Sequence, residues 1–177
     1  MSGEAAAATP AEAGDAPEPE LLHGAPVARS GGQLTVHPAR DGYLELVAAL
    51  RGDGYWVCTD LCGVDYRGYG PSRGLPPGVS PERFEVVANL LDPTARRRVR
   101  VRVQVPEDEP TVASITSLHP GADFHERETW DLFGIHFDGH PHLTRILMPD
   151  EWEGHPLRKD YAVGRIPVQF KAPRSAR

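Results

Sequence analysis

Six histidines fall between residues 119 and 155: His119, His125, His136, His140, His142 and His155. Imidazole is a frequent metal ligand, so this density raises the question of a metal centre. His136, His140 and His142 can be drawn as a ligand set. Gly139 and Pro141 forbid a regular helix there, so the spacing fixes no common face, and no cysteine is near. In their Gly-His-Pro contexts, His140 and His155 suit hydrogen bonds to backbone or partner groups better than ligation. Among these histidines lies a carboxylate cluster, Glu126, Glu128 and Asp131, around Arg127. Such a cluster could do acid–base work or bind a cation. On a helix, Arg127 and Asp131 stand at i, i+4, and an ion-pair lattice explains the group without catalysis. Those charges would then orient the helix against the C-terminal segment or a neighbouring subunit.

Cys58 and Cys62 are the only cysteines. On a strand they share a face about 13 Å apart, beyond disulfide reach, and the expectation is two buried free thiols. Two cysteines alone hold neither an iron–sulfur cluster nor a cysteine-built zinc site. Arg96, Arg97, Arg98, Arg100 and Arg102 form a basic stripe. No aromatic residue interleaves with it, so base stacking has no support. Solvation, salt bridges to acids, or an interface to an acidic subunit remain as readings. No Gly-x-Gly-x-x-Gly, P-loop or Gly-x-Ser-x-Gly is present, so no dinucleotide or flavin site is recognisable.

The elements that must carry these groups follow from periodicity. Residues 1–20 hold Glu4, Glu12, Asp15, Glu18 and Glu20, no base, and mostly Ala, Pro and Gly. Such a stretch cannot offset its ordering entropy, so residues 1–33 are expected to be a disordered acidic tail. The chain's charge of −6 includes those five acids, which leaves the rest near neutral and speaks against an electrostatic DNA binder. The longest aliphatic run, Leu46 to Leu50, is far too short to span a bilayer. There is no secretory signal pattern either, so folding in the cytosol is expected.

Residues 42–51 repeat apolar groups at helical spacing. Tyr55–Asp65 and Phe84–Leu91 suggest strands. Val99, Val101, Val103 and Val105 alternate with Arg98, Arg100, Arg102 and Gln104, the pattern of a half-exposed strand that pairs with its predecessor as a hairpin. Thr111–Leu118 suggests a short helix, and residues 120–133 another, ended by Gly134. Early strands followed by helices, without βαβ alternation, imply an α+β fold. Its sheet would be small and mostly antiparallel, with helices on one face. The domain is expected over residues 34–134, with an extended partner-binding segment over 135–177.

Residues 126–161 combine charge, aromatics, Gly and Pro without a sustained period, yet are too apolar for a solvated linker. Glu126-Arg127-Glu128, the run from Trp130 to Ile135, Arg145 to Pro149, Trp152, and Gly154 to Tyr161 resemble the signature of the 30-kDa subunit family of respiratory complex I. The pieces Arg83 to Val87, Arg98 to Val103 and Pro110 to Thr116 are similar to the same family. The resemblance covers about residues 40 to 165 and omits the N-terminus.

The resemblance implies a noncatalytic, cofactor-free subunit of the peripheral arm of proton-translocating NADH–quinone oxidoreductase, peripheral to the cytoplasmic face of the membrane. FMN and iron–sulfur clusters would lie in partner subunits. Partners would be the quinone-site (49-kDa type) subunit and a neighbouring iron–sulfur subunit, with no nucleic acid and with membrane contact only through the complex. The chain is expected to be a separate polypeptide. Candidate interface residues are Glu126, Arg127, Glu128, Asp131, Arg145, Trp152, Arg158, Lys159, Asp160 and Tyr161, since Trp, Tyr and Arg dominate interface energetics. The expectation is that Arg158→Ala or Trp152→Ala lowers assembly without changing the fold. The rivals are the equivalent subunit of an energy-converting hydrogenase or related dehydrogenase, and a free-standing histidine-rich metalloenzyme.

Overall fold

The computed structural model describes residues 20–70 and 73–162. Its strands are β1 (Leu21–Leu22), β2 (Ala25–Ser30), β3 (Gln33–Val36), β4 (Val57–Asp65), β5 (Phe84–Asp92), β6 (Arg97–Val105), β7 (Thr111–Ala113) and β8 (His136–Asp138). Its helices are α1 (Tyr43–Gly52) and α2 (Ala122–Phe133).

The valine alternation on β6 fixes the core. Val99, Val101, Val103 and Val105 are all buried, while Arg98 and Arg100 of the opposite face are exposed. β5 pairs antiparallel with β6 without a register break, from Phe84 opposite Val105 to Asp92 opposite Arg97. This register puts Phe84, Val86, Ala88 and Leu90 on the same buried face. Each aliphatic side chain enclosed there contributes about 1.5–3 kcal/mol. α1 adds Tyr43, Leu46, Val47 and Leu50 to this core. α2 lies on β4, where Gly63 makes room: a Cβ there would sit 2.8 Å from Thr129 and 3.0 Å from Phe133. The six-stranded sheet has the order β1-β2-β3-β6-β5-β4, and only its β3–β6 pair is parallel. The architecture is α+β, with a mostly antiparallel sheet as expected.

Four details differ from the sequence expectation. The fold begins before residue 34. Leu21–Ser30 forms two strands, and Ala25 and Val27 are buried. Tertiary pairing of Val27 with Val36 overrides a composition that reads as coil. The expectation for residues 1–19 lies outside the described residues.

Thr111–Ala113 is a strand and not a helix, paired in parallel with His136–Asp138. Strand pairing with a segment distant in sequence wins there, and only a single turn follows, with the Leu118 and His119 amides donating to the Ile115 carbonyl. The segment after Gly134 is accordingly extended and irregular except for β8, and residues 163–177 lie outside the description.

Cys58 and Cys62 are free, but the first is half-buried and the second exposed. They also lie on opposite faces. A register shift between Cys58 and Asp60 inverts the alternation, so that Cys58 opposes Leu90 and Cys62 opposes Val87.

Candidate partner-docking site

The end of α2 is built to receive another segment. Gly134 closes the helix at φ +71°, and a Cβ there would lie 2.5 Å from the His155 ring and 2.6 Å from Arg158. The last carbonyls of a helix need donors from elsewhere. Residues 145–158 supply them. Arg145 Nη1 donates to the Asp131 carbonyl at 3.4 Å and the Leu157 amide to that of Leu132 at 3.0 Å. The Arg158 Nε donates to Phe133 O at 2.5 Å, and His155 Nδ1 lies 3.0 Å from Asp131 O. Two of these donors are cationic guanidiniums, the charge that suits the negative end of a helix dipole.

Asp131 is the centre of this clasp. Its buried carboxylate accepts the amides of Ile146, Leu147 and Met148 at 3.1, 2.8 and 2.9 Å, and Arg145 Nη1 at 2.5 Å. Desolvation raises its pKa, but the three amides and Arg145 outweigh burial and hold it below the usual carboxylate value. Arg145 continues outward to the Trp152 carbonyl at 2.6 Å. Arg127 donates to the carbonyls of Thr144 and Arg145 at 3.2 and 3.0 Å. The expected Arg127–Asp131 ion pair is therefore absent, because each side chain is engaged by backbone of the incoming strap instead.

A second anchor holds residues 159–160. Asp65 and Arg83 form a buried ion pair at 2.9 Å, and Asp65 also accepts the Lys159 amide at 2.9 Å. Desolvation pushes the Asp65 carboxyl up, yet the Arg83 bonds and the Lys159 and Arg67 amides hold it at about 2. Asp160 binds Arg83 at 2.7 Å and Arg67 at 2.9 Å. Arg158 also lies over the Phe84 ring at 5.1 Å. Sequence reasoning missed Asp65, Arg67 and Arg83 as site residues. The available signal was Arg83, a charge abutting the apolar strand from Phe84.

Of the candidate residues, Asp131, Arg127, Arg145 and Arg158 thus gather where the strap meets the end of α2, while Asp160 sits at the second anchor with Arg67 and Arg83. Glu126 stands apart, fully buried, with Oε1 accepting the Ile115 amide at 2.8 Å. Glu128 is exposed on α2, and Lys159 projects into solvent. Tyr161 is half-buried against Gly154, whose Cβ would meet its ring at 2.9 Å. Trp152 is half-buried, with its indole N–H enclosed but lacking an acceptor among the described residues.

The strap leaves apolar side chains outside. Leu147 is 56% exposed, Leu157 48% and Ile146 36%. The histidines do not converge. His140 Nδ1 accepts the His142 amide at 3.0 Å, which leaves its proton on Nε2 facing Asp123. No group of three or more His, Cys, Asp or Glu that could hold a metal comes together among the described residues.

The family model of the 30 Kd subunit of the respiratory-chain NADH dehydrogenase matches residues 36–166 and so contains the whole strap. The chain belongs to this family. The C subunit of NADH-quinone oxidoreductase from Saccharopolyspora erythraea is 47% identical over 143 residues, covering 79% of this chain and 53% of that protein. The Roseiflexus castenholzii protein of the same name is 47% identical over 142 residues, covering 78% of this chain and 75% of that one. This chain spans about half the length of several such 30 Kd-family relatives, the Nocardioides protein among them at 53%.

A trypsin-resistant fragment (1-134) of Nqo5 superimposes with TM-score 0.59 at 38% identity, covering 68% of this chain and 91% of that one. A chain of the archaeal membrane-bound sulfane sulfur reductase gives TM-score 0.64 at 19% identity, covering 86% and 90%, which is a likeness of fold alone.

Proposed function

We propose that this chain is a noncatalytic structural subunit of the peripheral arm of proton-translocating NADH–quinone oxidoreductase. It braces the quinone-reducing module at the cytoplasmic face of the membrane. Electrons pass from NADH through FMN and iron–sulfur clusters of other subunits to quinone. The observation that carries the reading is the clasped strap: a segment without regular structure is held rigid from within and presents Ile146, Leu147 and Leu157 outward. Fixing that surface beforehand lowers the ordering cost of docking.

Lys159, Glu128 and the exposed parts of Trp152 and Tyr161 are further candidate contacts for the quinone-site subunit and a neighbouring iron–sulfur subunit. Among the described residues no helix is long and apolar enough to cross a membrane, and membrane association comes through these partners.

The test is affinity purification of the tagged chain from its own membranes in mild detergent, with identification of co-eluting chains. Recovery with quinone-site, iron–sulfur and flavin subunits is expected. Recovery with a nickel-bearing subunit or a sulfur reductase would assign the chain to a related machine, the second reading that the shared fold supports. Recovery alone would overturn both.

A further inference from the structure

The sheet face turned away from the helices carries the arginines of β6. Arg98, Arg100 and Arg102 alternate onto it. The loop after β4 adds Arg73, whose guanidinium lies 4.1 Å over the Tyr66 ring. Glu85 is already bound to Arg102 at 2.7 and 3.0 Å. Arg100 commits only its Nε, to Asn89 at 3.0 Å, and Arg98 has no partner among the described residues. Between this face and the loop lies a cavity of about 360 Å³, with Ser30, Thr35, Tyr66, Arg100, Arg102 and the Arg102-paired Glu85 among its lining. Guanidinium N–H groups beside hydroxyls form a site for carboxylate.

The strand register brings such carboxylates to the cavity's edge. β1 runs antiparallel to β2 with Leu21 opposite Pro26, and the Val27 amide donates to the Glu20 carbonyl at 2.8 Å. Glu20, the first described residue, therefore lies beside Val27, one position from Ala28, which lines the cavity together with Ser30. Glu20 itself binds Arg29 at 2.7 Å. Residues 1–19 contain Glu4, Glu12, Asp15 and Glu18 and no basic residue. β6 stands two strands from β2, a distance of about 10 Å. About six extended residues span roughly 20 Å, so the acids nearest Glu20 reach it.

We propose that the acidic segment 1–19 docks in cis on this arginine face, with its carboxylates on Arg98, Arg100 and the mouth of the cavity. The tether gives the segment an effective concentration of about millimolar, so it shields the face from other anionic partners.

Paramagnetic relaxation in the ¹⁵N-labelled full chain tests this. A nitroxide is placed at Ala13→Cys in a Cys58→Ala, Cys62→Ser background, with a native-like amide spectrum as the control for folding. The expected result is loss of the amide signals of Ser30, Thr35 and Arg100. They should return in roughly 1 M NaCl, where the Debye length is about 3 Å. They should also return with Arg100→Glu, or when Glu4, Glu12, Asp15 and Glu18 are changed to Gln or Asn. Signal loss confined to residues adjoining Glu20, or persisting after those acids are neutralised, overturns the proposal. So does a face that stays unbroadened in cis but binds a free poly-glutamate peptide, which would assign it to an acidic partner in trans.

Discussion

Glu126 and Asp131 sit five positions apart on one helix, are both enclosed, and respond to pH in opposite senses. Burial pushes the Glu126 carboxyl up to about 7, the bonds from Ser114 and Ile115 oppose this, and Asp123 adds to the rise. Its folded value lies above the ordinary 4.5, so the folded state holds the proton longer. Stability from this site is greatest below about 4.5 and declines as pH rises through about 7, by roughly 3 kcal/mol in all.

Glu126→Gln should remove that decline, read as denaturation midpoints compared at about pH 5 and about pH 8. Asp131 has a lowered value, so its contribution is present above the unfolded pKa and disappears as pH falls through the folded one. Asp131→Ala strands Arg145 and three amides and should cost about 3–5 kcal/mol by urea unfolding. A loss below about 1 kcal/mol would mean that the clasp contributes little.

At the scale of elements, α2 rests on β4 because Gly63 offers no side chain. Gly63→Val would place carbon inside van der Waals contact of Thr129 and Phe133. It should destabilise by about 1–3 kcal/mol, with hydrogen exchange accelerated in α2 and the strap but not in the β5–β6 hairpin. Equal acceleration in both would show that the helix does not move as a unit against the sheet. The strap is itself an element in this sense. It has no repeating hydrogen bonds of its own, and its conformation is written by Asp131, Arg127, Arg145 and the carbonyls at the end of α2.

At the scale of the whole molecule, the contacts that fold the strap and the surface proposed for assembly use different atoms of one segment. Arg145 and Arg158 of the strap turn inward and Leu147 and Leu157 outward. This revises which substitutions separate the two roles. Arg158→Ala removes a helix cap and an aromatic contact, so it should weaken the fold as well as any assembly. Leu147→Glu changes an exposed side chain and should leave the unfolding midpoint within about 0.5 kcal/mol of the parent. It should also sharply lower the amount of chain recovered in a detergent-solubilised complex on native gels. Normal assembly of that variant would move the docking surface away from the strap.

The valine alternation of β6, the hairpin it forms, the apolar spacing of α1 and the terminating Gly134 could all be read from local sequence. Each is set by a residue's own backbone preference or by a period of two or near 3.6. The unusual block from Glu126 to Tyr161 also marked the family. Tertiary structure decided what depends on groups distant along the chain. β3 joins β6 in parallel, β7 pairs with β8, and a bulge moves Cys62 to the other face. It also decided the partners of the charges. Arg127 and Asp131 satisfy the local i, i+4 rule on paper, yet buried charge is stabilised by whichever donors can surround it. For Asp131 those donors are backbone amides some fifteen residues away, at Ile146, Leu147 and Met148, a choice no local spacing encodes.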